Sequence, residues 1–189
     1  MRPSNRDKML TAALAVVERG GVAALTFEAV AEESGISRGG LLYHFATKED
    51  LVLGLHEFLA ARWELQLTDA LGSDPASATS AERLAAYTKV SIQSADSADL
   101  LLMIEATRHP QLKEVWRRVA ARWVPDFSHT TADDEEGLAQ LVALLAADGL
   151  WVSESVGLFT VPTALRADLA SRFASILGVT GHPPHVSDT

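Results

Sequence analysis

Apolar residues recur at helical spacing along nearly the whole chain, and no strand pattern or internal repeat stands out. Residues 5 to 19 place Leu10, Ala13, Leu14 and Val17 at i, i+3, i+4 and i+7, and Gly20-Gly21 stops the helix. A long helix is predicted from Lys48 to about Leu71, with Leu51, Leu55, Phe58, Leu59 and Arg62 along one side. GSDPASATS, 72 to 80, reads as a loop. A helix follows over about 81 to 95, then a short apolar one over 100 to 107. Pro110 opens another, whose stripe is Leu112, Val115, Trp116, Val119 and Trp123. DFSHTTADD, 126 to 134, is a polar and mobile connection. Two last helices are expected over 135 to 156 and 163 to 177, joined by GLFTVP. No heptad array is apparent. The prediction is an all-α chain of about nine helices, with a disordered tail over 179 to 189.

The segment between the first and the long helix carries the most information. TFEAVAEESGISRGGLLYHFATKED, 26 to 50, reads as a helix-turn-helix opening onto the long helix. Thr26 and Ser37 stand where each helix of the pair needs a side-chain oxygen for its free N–H groups. Thr47 with Asp50 forms a capping box for the long helix. Ala31 is small where the second helix must cross the first, and Gly35 tolerates the positive φ of a sharp turn. Val30, Ile36 and Leu41 are apolar where the helices press together.

Residues 35 to 51, GISRGGLLYHFATKEDL, resemble the signature of the tetracycline-repressor (TetR) family of bacterial transcription regulators. That signature runs G-[VI]-S-x-G-x-[LI]-Y-x-H-F-x-[ST]-K-x-x-L. Gly35, Ser37, Gly39, Leu41, His44, Phe45, Thr47, Lys48 and Leu51 match it. The family's Tyr falls at position 42, which is Leu here, with Tyr43 next; one residue is about 100° of rotation on a helix. The motif match covers roughly residues 10 to 52. The resemblance implies a DNA-binding domain over 1 to 47 and an effector-binding and dimerisation domain over 48 to 178. It also implies a homodimer on a pseudo-palindromic operator, acting as a repressor that a small, mostly apolar effector releases.

Charge bears on the DNA reading. The chain carries a net charge of −9. Residues 1 to 50 hold six Lys/Arg against seven Asp/Glu, and the remainder ten against eighteen. The acid is therefore concentrated away from the helix-turn-helix, although Glu28, Glu32 and Glu33 lie on its first helix. A near-neutral head predicts modest non-specific affinity and reliance on a dimer. There is no cysteine, which excludes disulfides and thiolate metal sites. No run of about 18 apolar residues is seen, so no membrane partner is expected, and a bacterial cytoplasmic setting is the simple reading.

Within the second helix of the pair, Arg38 is the long donor able to take a bidentate guanine contact. Gly39 and Gly40 each lower helix propensity by about 1 kcal/mol against Ala, so either DNA or another helix comes close there. Ser37, Tyr43 and Thr26 could bond to phosphates. His44 could do the same or pack inward. Lys48 sits beside the free N–H groups of the long helix. Arg2 and Arg6 form either a minor-groove arm or a solvated terminus.

In the body, an apolar wall for an effector is available from Trp63, Tyr87, Met103, Trp116, Trp123 and Phe127, though an aromatic stripe also serves as ordinary core. Glu105 either anchors a ligand or pairs with Arg108. Leu138, Leu141, Leu145, Gly149, Leu165, Leu169, Phe173 and Ile176 are candidates for a dimer interface built as a four-helix bundle, the alternative being packing within one subunit. Ala146 and Ala147 would add to the close approach that Gly149 allows there. The histidines, including His56, His109, His129 and the HPPH pair His182 and His185, are scattered, so neither a metal nor another cofactor is expected. No nucleophile motif or P-loop is present, and the chain reads as a non-enzyme. The alternative function is a ligand-binding or carrier module whose head does not bind DNA specifically.

Overall fold

The structure is a computed structural model that describes residues 4–93 and 97–179. Among the described residues there are nine α-helices and no strand. They are α1 (Asn5–Gly20), α2 (Phe27–Ser34), α3 (Arg38–His44), α4 (Lys48–Leu71), α5 (Ser80–Ser91), α6 (Ser97–Ala106), α7 (Pro110–Trp123), α8 (Glu135–Ser155) and α9 (Thr163–Ile176). A single 3-10 turn, Val22–Ala24, follows α1. The expected tail lies outside the described residues beyond Val179, as do Arg2, His182 and His185.

Local chemistry sets most helix ends. Ser4 and Asp7 cap α1 reciprocally, and Thr79 and Glu82 do the same for α5. The α5 helix stops at Ser91, short of the expected 95, and the Ile92 carbonyl just beyond it accepts from Arg166 Nη1. The sixth helix begins three residues earlier than expected, because Ser97 and Asp99 suit a first turn. The stretch expected to be mobile is a series of hydrogen-bonded turns. Ser128 N–H donates to Asp126 at 2.9 Å, and Thr130 N–H donates to the Phe127 carbonyl at 3.1 Å.

The chain divides into two compact units, Met1–Leu65 with Asp96–Ala120, and Gln66–Ala95 with Ala121–Thr189. The first has a core of Met9, Leu10, Ala13 and Val17 from α1, Val30 from α2 and Leu41 from α3. Leu51, Leu55 and Leu59 from α4 and Ala98 and Leu102 from α6 complete it. The apolar stripes of the first, second and fourth helices thus converge as their periodicity requires.

In the second unit Leu84 and Ile92 pack with Ala143 and Ala147 of α8, and with Phe173 and Leu177. An ion pair stitches the α8–α9 connection in place. Arg166 Nη2 donates to both Glu154 oxygens at 2.7 and 3.0 Å, and Glu154 Oε1 also accepts from Val161 N–H at 2.6 Å. Both side chains are largely buried. Loss of one partner would strand a charge, typically at about 3–5 kcal/mol.

The eighth helix departs from expectation. By length and composition it is apolar enough to cross a membrane, the one such helix among the described residues. Asp148 interrupts it, so no unbroken apolar run of that length stands in the sequence. Its most buried positions are small or polar, Gln140, Ala143 and Ala147, with Leu144 and Leu150 packed beside them, while a further set of large residues faces outward. The outward Leu138, Val142, Leu145, Gly149, Val152 and Val156 are spaced 4-3-4-3-4. That is a heptad seam, overlooked because inward and outward apolar positions interleave in the sequence. Ala147 and Phe173 belong to the intrachain core, so neither is on the outward face.

Candidate nucleic-acid interface and effector region

The helix-turn-helix takes its shape from three residues. Thr26 Oγ1 accepts from Ala29 N–H at 3.1 Å, and Ser37 Oγ accepts from Gly40 N–H at 3.2 Å. Between them Gly35 takes φ +67°, and its N–H donates to the Ala31 carbonyl at 3.0 Å. Left-handed backbone at this point costs a residue with a side chain about 1–2 kcal/mol, which explains glycine. Thr47 Oγ1 then accepts from Asp50 N–H at 3.1 Å while Asp50 accepts from Thr47 N–H at 3.0 Å, so α4 starts where the box predicts.

This arrangement leaves Thr26, Ser37, Arg38, Gly39, Tyr43, His44 and Lys48 exposed. Tyr43 is 86 % exposed, with His44 edge-on to its ring at 5.2 Å. The inward-packing alternative for His44 therefore fails. The two glycines have different reasons. A Cβ on Gly40 would lie 2.9 Å from Ile36 Cγ2, so the turn itself requires glycine there. Around Gly39 the nearest atom to such a Cβ is Ser37 Oγ at 4.0 Å, so no packing demand accounts for it.

Arg6 is neither an arm nor a loose terminus. It lies within α1, 5.6 Å from the Phe45 ring centroid and 3.5 Å from the Glu57 carboxylate. Arg19 pairs with Glu33, tying the end of α1 to α2. One partnership escaped the sequence reading: Arg38 Nε lies 2.9 Å from Glu28 Oε1, joining the first turns of α2 and α3. The signal was opposite charge in two adjacent first turns, but sequence alone does not bring two turns together.

The candidate effector residues fall into both compact units. In the first, the Trp63 and Trp116 rings lie 6.2 Å apart, with Met103 and Glu105 half-buried on α6. Glu105 pairs with His109, Oε1 to Nε2 at 3.2 Å, rather than with Arg108. That spacing is i, i+4 on the run from α6 into the following turn, where the two side chains meet. In the second unit Trp123 is fully buried and Phe127 half-buried. The Tyr87 hydroxyl donates to Asp148 Oδ1 at 2.8 Å, and its ring packs against the core of the second unit. Burial, and then the Asp148 charge, raise the Tyr87 phenol well above its ordinary value; burial also raises Asp148.

His56, one of several scattered histidines in the sequence, is strongly perturbed by its burial. It is fully buried on α4, and its Nδ1 accepts from Trp116 Nε1–H at 2.9 Å. Acceptance at Nδ1 places the neutral ring's proton on Nε2, which has no hydrogen-bond partner among the described residues. Burial is the main cause that lowers its pKa from 6.5 to about 4; Glu105 raises it and His109 lowers it.

Residues 9–55 match the family described as "Bacterial regulatory proteins, tetR family", and residues 81–177 match "Tetracyclin repressor-like, C-terminal domain". The chain is 27% identical over 181 residues to the HTH-type transcriptional regulator BetI of Rhizobium meliloti (strain 1021), covering 90% of this chain and 86% of that protein. Its fold is similar to that of a transcriptional regulator from Rhodococcus sp. Rha1, with TM-score 0.64 and 20% identity, covering 95% of this chain and 100% of the other. It is also similar to a TetR family member from Streptomyces coelicolor A3, with TM-score 0.58 and 24% identity, covering 90% and 98%.

Proposed function

Because the chain belongs to the TetR family of DNA-binding transcription regulators, we propose that it is a homodimeric repressor released from its operator by a small, mostly apolar effector. Residues 1–47 form the DNA-binding part and 48–178 the effector and dimer part, in a bacterial cytoplasm. The observation that carries the reading is the exposed set Thr26, Ser37, Arg38, Gly39, Tyr43, His44 and Lys48 around a turn held by Gly35. Arg38 reads a guanine, and the hydroxyls, His44 and Lys48 engage phosphates. Tyr43, largely in solvent, is placed to bond to a phosphate. Gly40 serves the turn, and Gly39 lets the DNA backbone approach.

The outward seam of α8, with Leu165 and Ile176 of α9, supports isologous pairing of two subunits. A head that reads only a few base pairs needs that pairing to present two recognition helices about 34–36 Å apart. For the effector, the proposed wall is Trp63, Met103, Glu105 and Trp116 of the first unit. An effector that binds better to a head spacing mismatched to the half-sites shifts the dimer off DNA.

Selection of the purified protein on a random duplex library at about 0.15 M salt tests the reading. The expected result is an enriched inverted repeat. A folded, dimeric protein that enriches nothing would overturn it and favour a ligand-binding module with an idle head.

A further inference from the structure

We propose that Glu28 is a specificity-determining residue, holding Arg38 in position to read a base; the inference rests on the DNA-binding reading above. The pair bridges two helices through Arg38 Nε and Glu28 Oε1 at 2.9 Å, with the side chains 61% and 69% exposed. Exposed pairs of this kind contribute little to stability, so the fold has no need of it. A carboxylate on a surface that meets phosphates also weakens DNA binding as a whole. Its presence beside the one long donor of the recognition helix therefore calls for a role in recognition.

The geometry supplies that role. The carboxylate engages the inner nitrogen of the guanidinium, and the two terminal nitrogens have no other protein partner among the described residues. These are the nitrogens that can bond end-on to guanine O6 and N7. Fixing the side chain before DNA arrives lowers the ordering entropy lost on binding. The carboxylate also opposes the wrong contact. If Arg38 swings to a phosphate, Glu28 is left unpaired against the negative backbone, so the non-specific mode is penalised more than the specific one. Glu28 thus trades overall affinity for discrimination at a single base pair, and its action passes through Arg38.

The test compares wild type, Glu28→Gln, Arg38→Ala and the double variant. Each is run through library selection at about 0.15 M salt. Dissociation constants are then measured for the best site, for that site with the Arg38-dependent base pair changed, and for a non-specific duplex. Melting curves check that each variant folds. The expected result is that Arg38→Ala abolishes preference at one base pair of each half-site. Glu28→Gln keeps the repeat, lowers that preference by up to about fivefold, the most an exposed ion pair supplies, and tightens non-specific binding. On the Arg38→Ala background, Glu28→Gln changes only the non-specific term. A Glu28→Gln profile identical to wild type, with wild type enriching a repeat, overturns this inference alone. A base-preference change by Glu28→Gln that persists without Arg38 overturns it too. A wild type that enriches nothing refutes the regulator reading itself.

Discussion

The buried His56 makes stability fall as the solution becomes mildly acidic. The folded protein holds its imidazole neutral down to about pH 4, chiefly through burial. In the unfolded chain the same group takes its proton near pH 6.5. Between these values the unfolded state binds a proton that the folded state refuses, so stability is complete above about 6.5 and is lost as pH falls toward 4. The difference amounts to about 2 kcal/mol at pH 5 and approaches about 3 kcal/mol below pH 4. Protonation of Nδ1 would also cancel the bond it accepts from Trp116, so folded-state protonation gains no compensation there. The assay is urea unfolding from pH 8 to 5, followed by Trp fluorescence and circular dichroism at constant protein concentration. The reference is His56→Asn, whose Oδ1 can still accept from Trp116 but does not titrate. Wild type minus variant should drop by about 2 kcal/mol between pH 8 and pH 5. A difference that stays level to within about 0.5 kcal/mol, the usual size of an inconsequential substitution, would refute the argument.

Three further outcomes follow from the same structure. Lys48→Ala should weaken binding to all duplexes alike and reduce the slope of log affinity against log salt by about one, read by titration across salt concentrations. Leu145→Glu, in the middle of the exposed α8 seam, should shift the protein to monomer in sedimentation without lowering helix content, and weaken operator binding with it. Tyr87→Phe should cost about 1–3 kcal/mol in urea unfolding at neutral pH by removing the donor to the partly desolvated Asp148. Asp148→Asn added to it should recover part of that loss.

What the sequence reveals here depends on how far apart the cooperating residues lie. Thr26, Ser37, Gly35 and the Thr47–Asp50 box act on backbone within three or four residues of themselves. Each therefore leaves a local signature, and the helix-turn-helix and the start of α4 were legible from it. The core positions Val30, Leu41, Leu51 and Leu55 were legible for a related reason, since one helical period places them on one face. His56 meets Trp116 across 60 residues and Tyr87 meets Asp148 across 61. No spacing rule reaches that far, so the first was passed over and the second went unseen. Glu28 and Arg38 are only ten residues apart, but the left-handed turn at Gly35 decides which side of each helix they share.

The eighth helix shows a different limit. Apolarity in a sequence says that a side chain avoids water, not which surface covers it. On α8 the most buried positions are Gln140, Ala143 and Ala147, with Leu144 and Leu150 packed beside them, while Leu138, Val142, Leu145 and Val152 line the outer seam. The seam side chains leave a band of apolar area outside the intrachain core. At about 25 cal/mol per Å², that area is a driving force that folding of one chain leaves unused. A 4-3-4-3-4 seam with a glycine at its centre suits a second helix laid close alongside, and Gly149 has open space where a Cβ would stand. The same pattern that makes this helix resemble a membrane span is thus better matched to another copy of itself. The interface prediction depends on that seam, not on Phe173 or Ala147, whose side chains are already used within the chain.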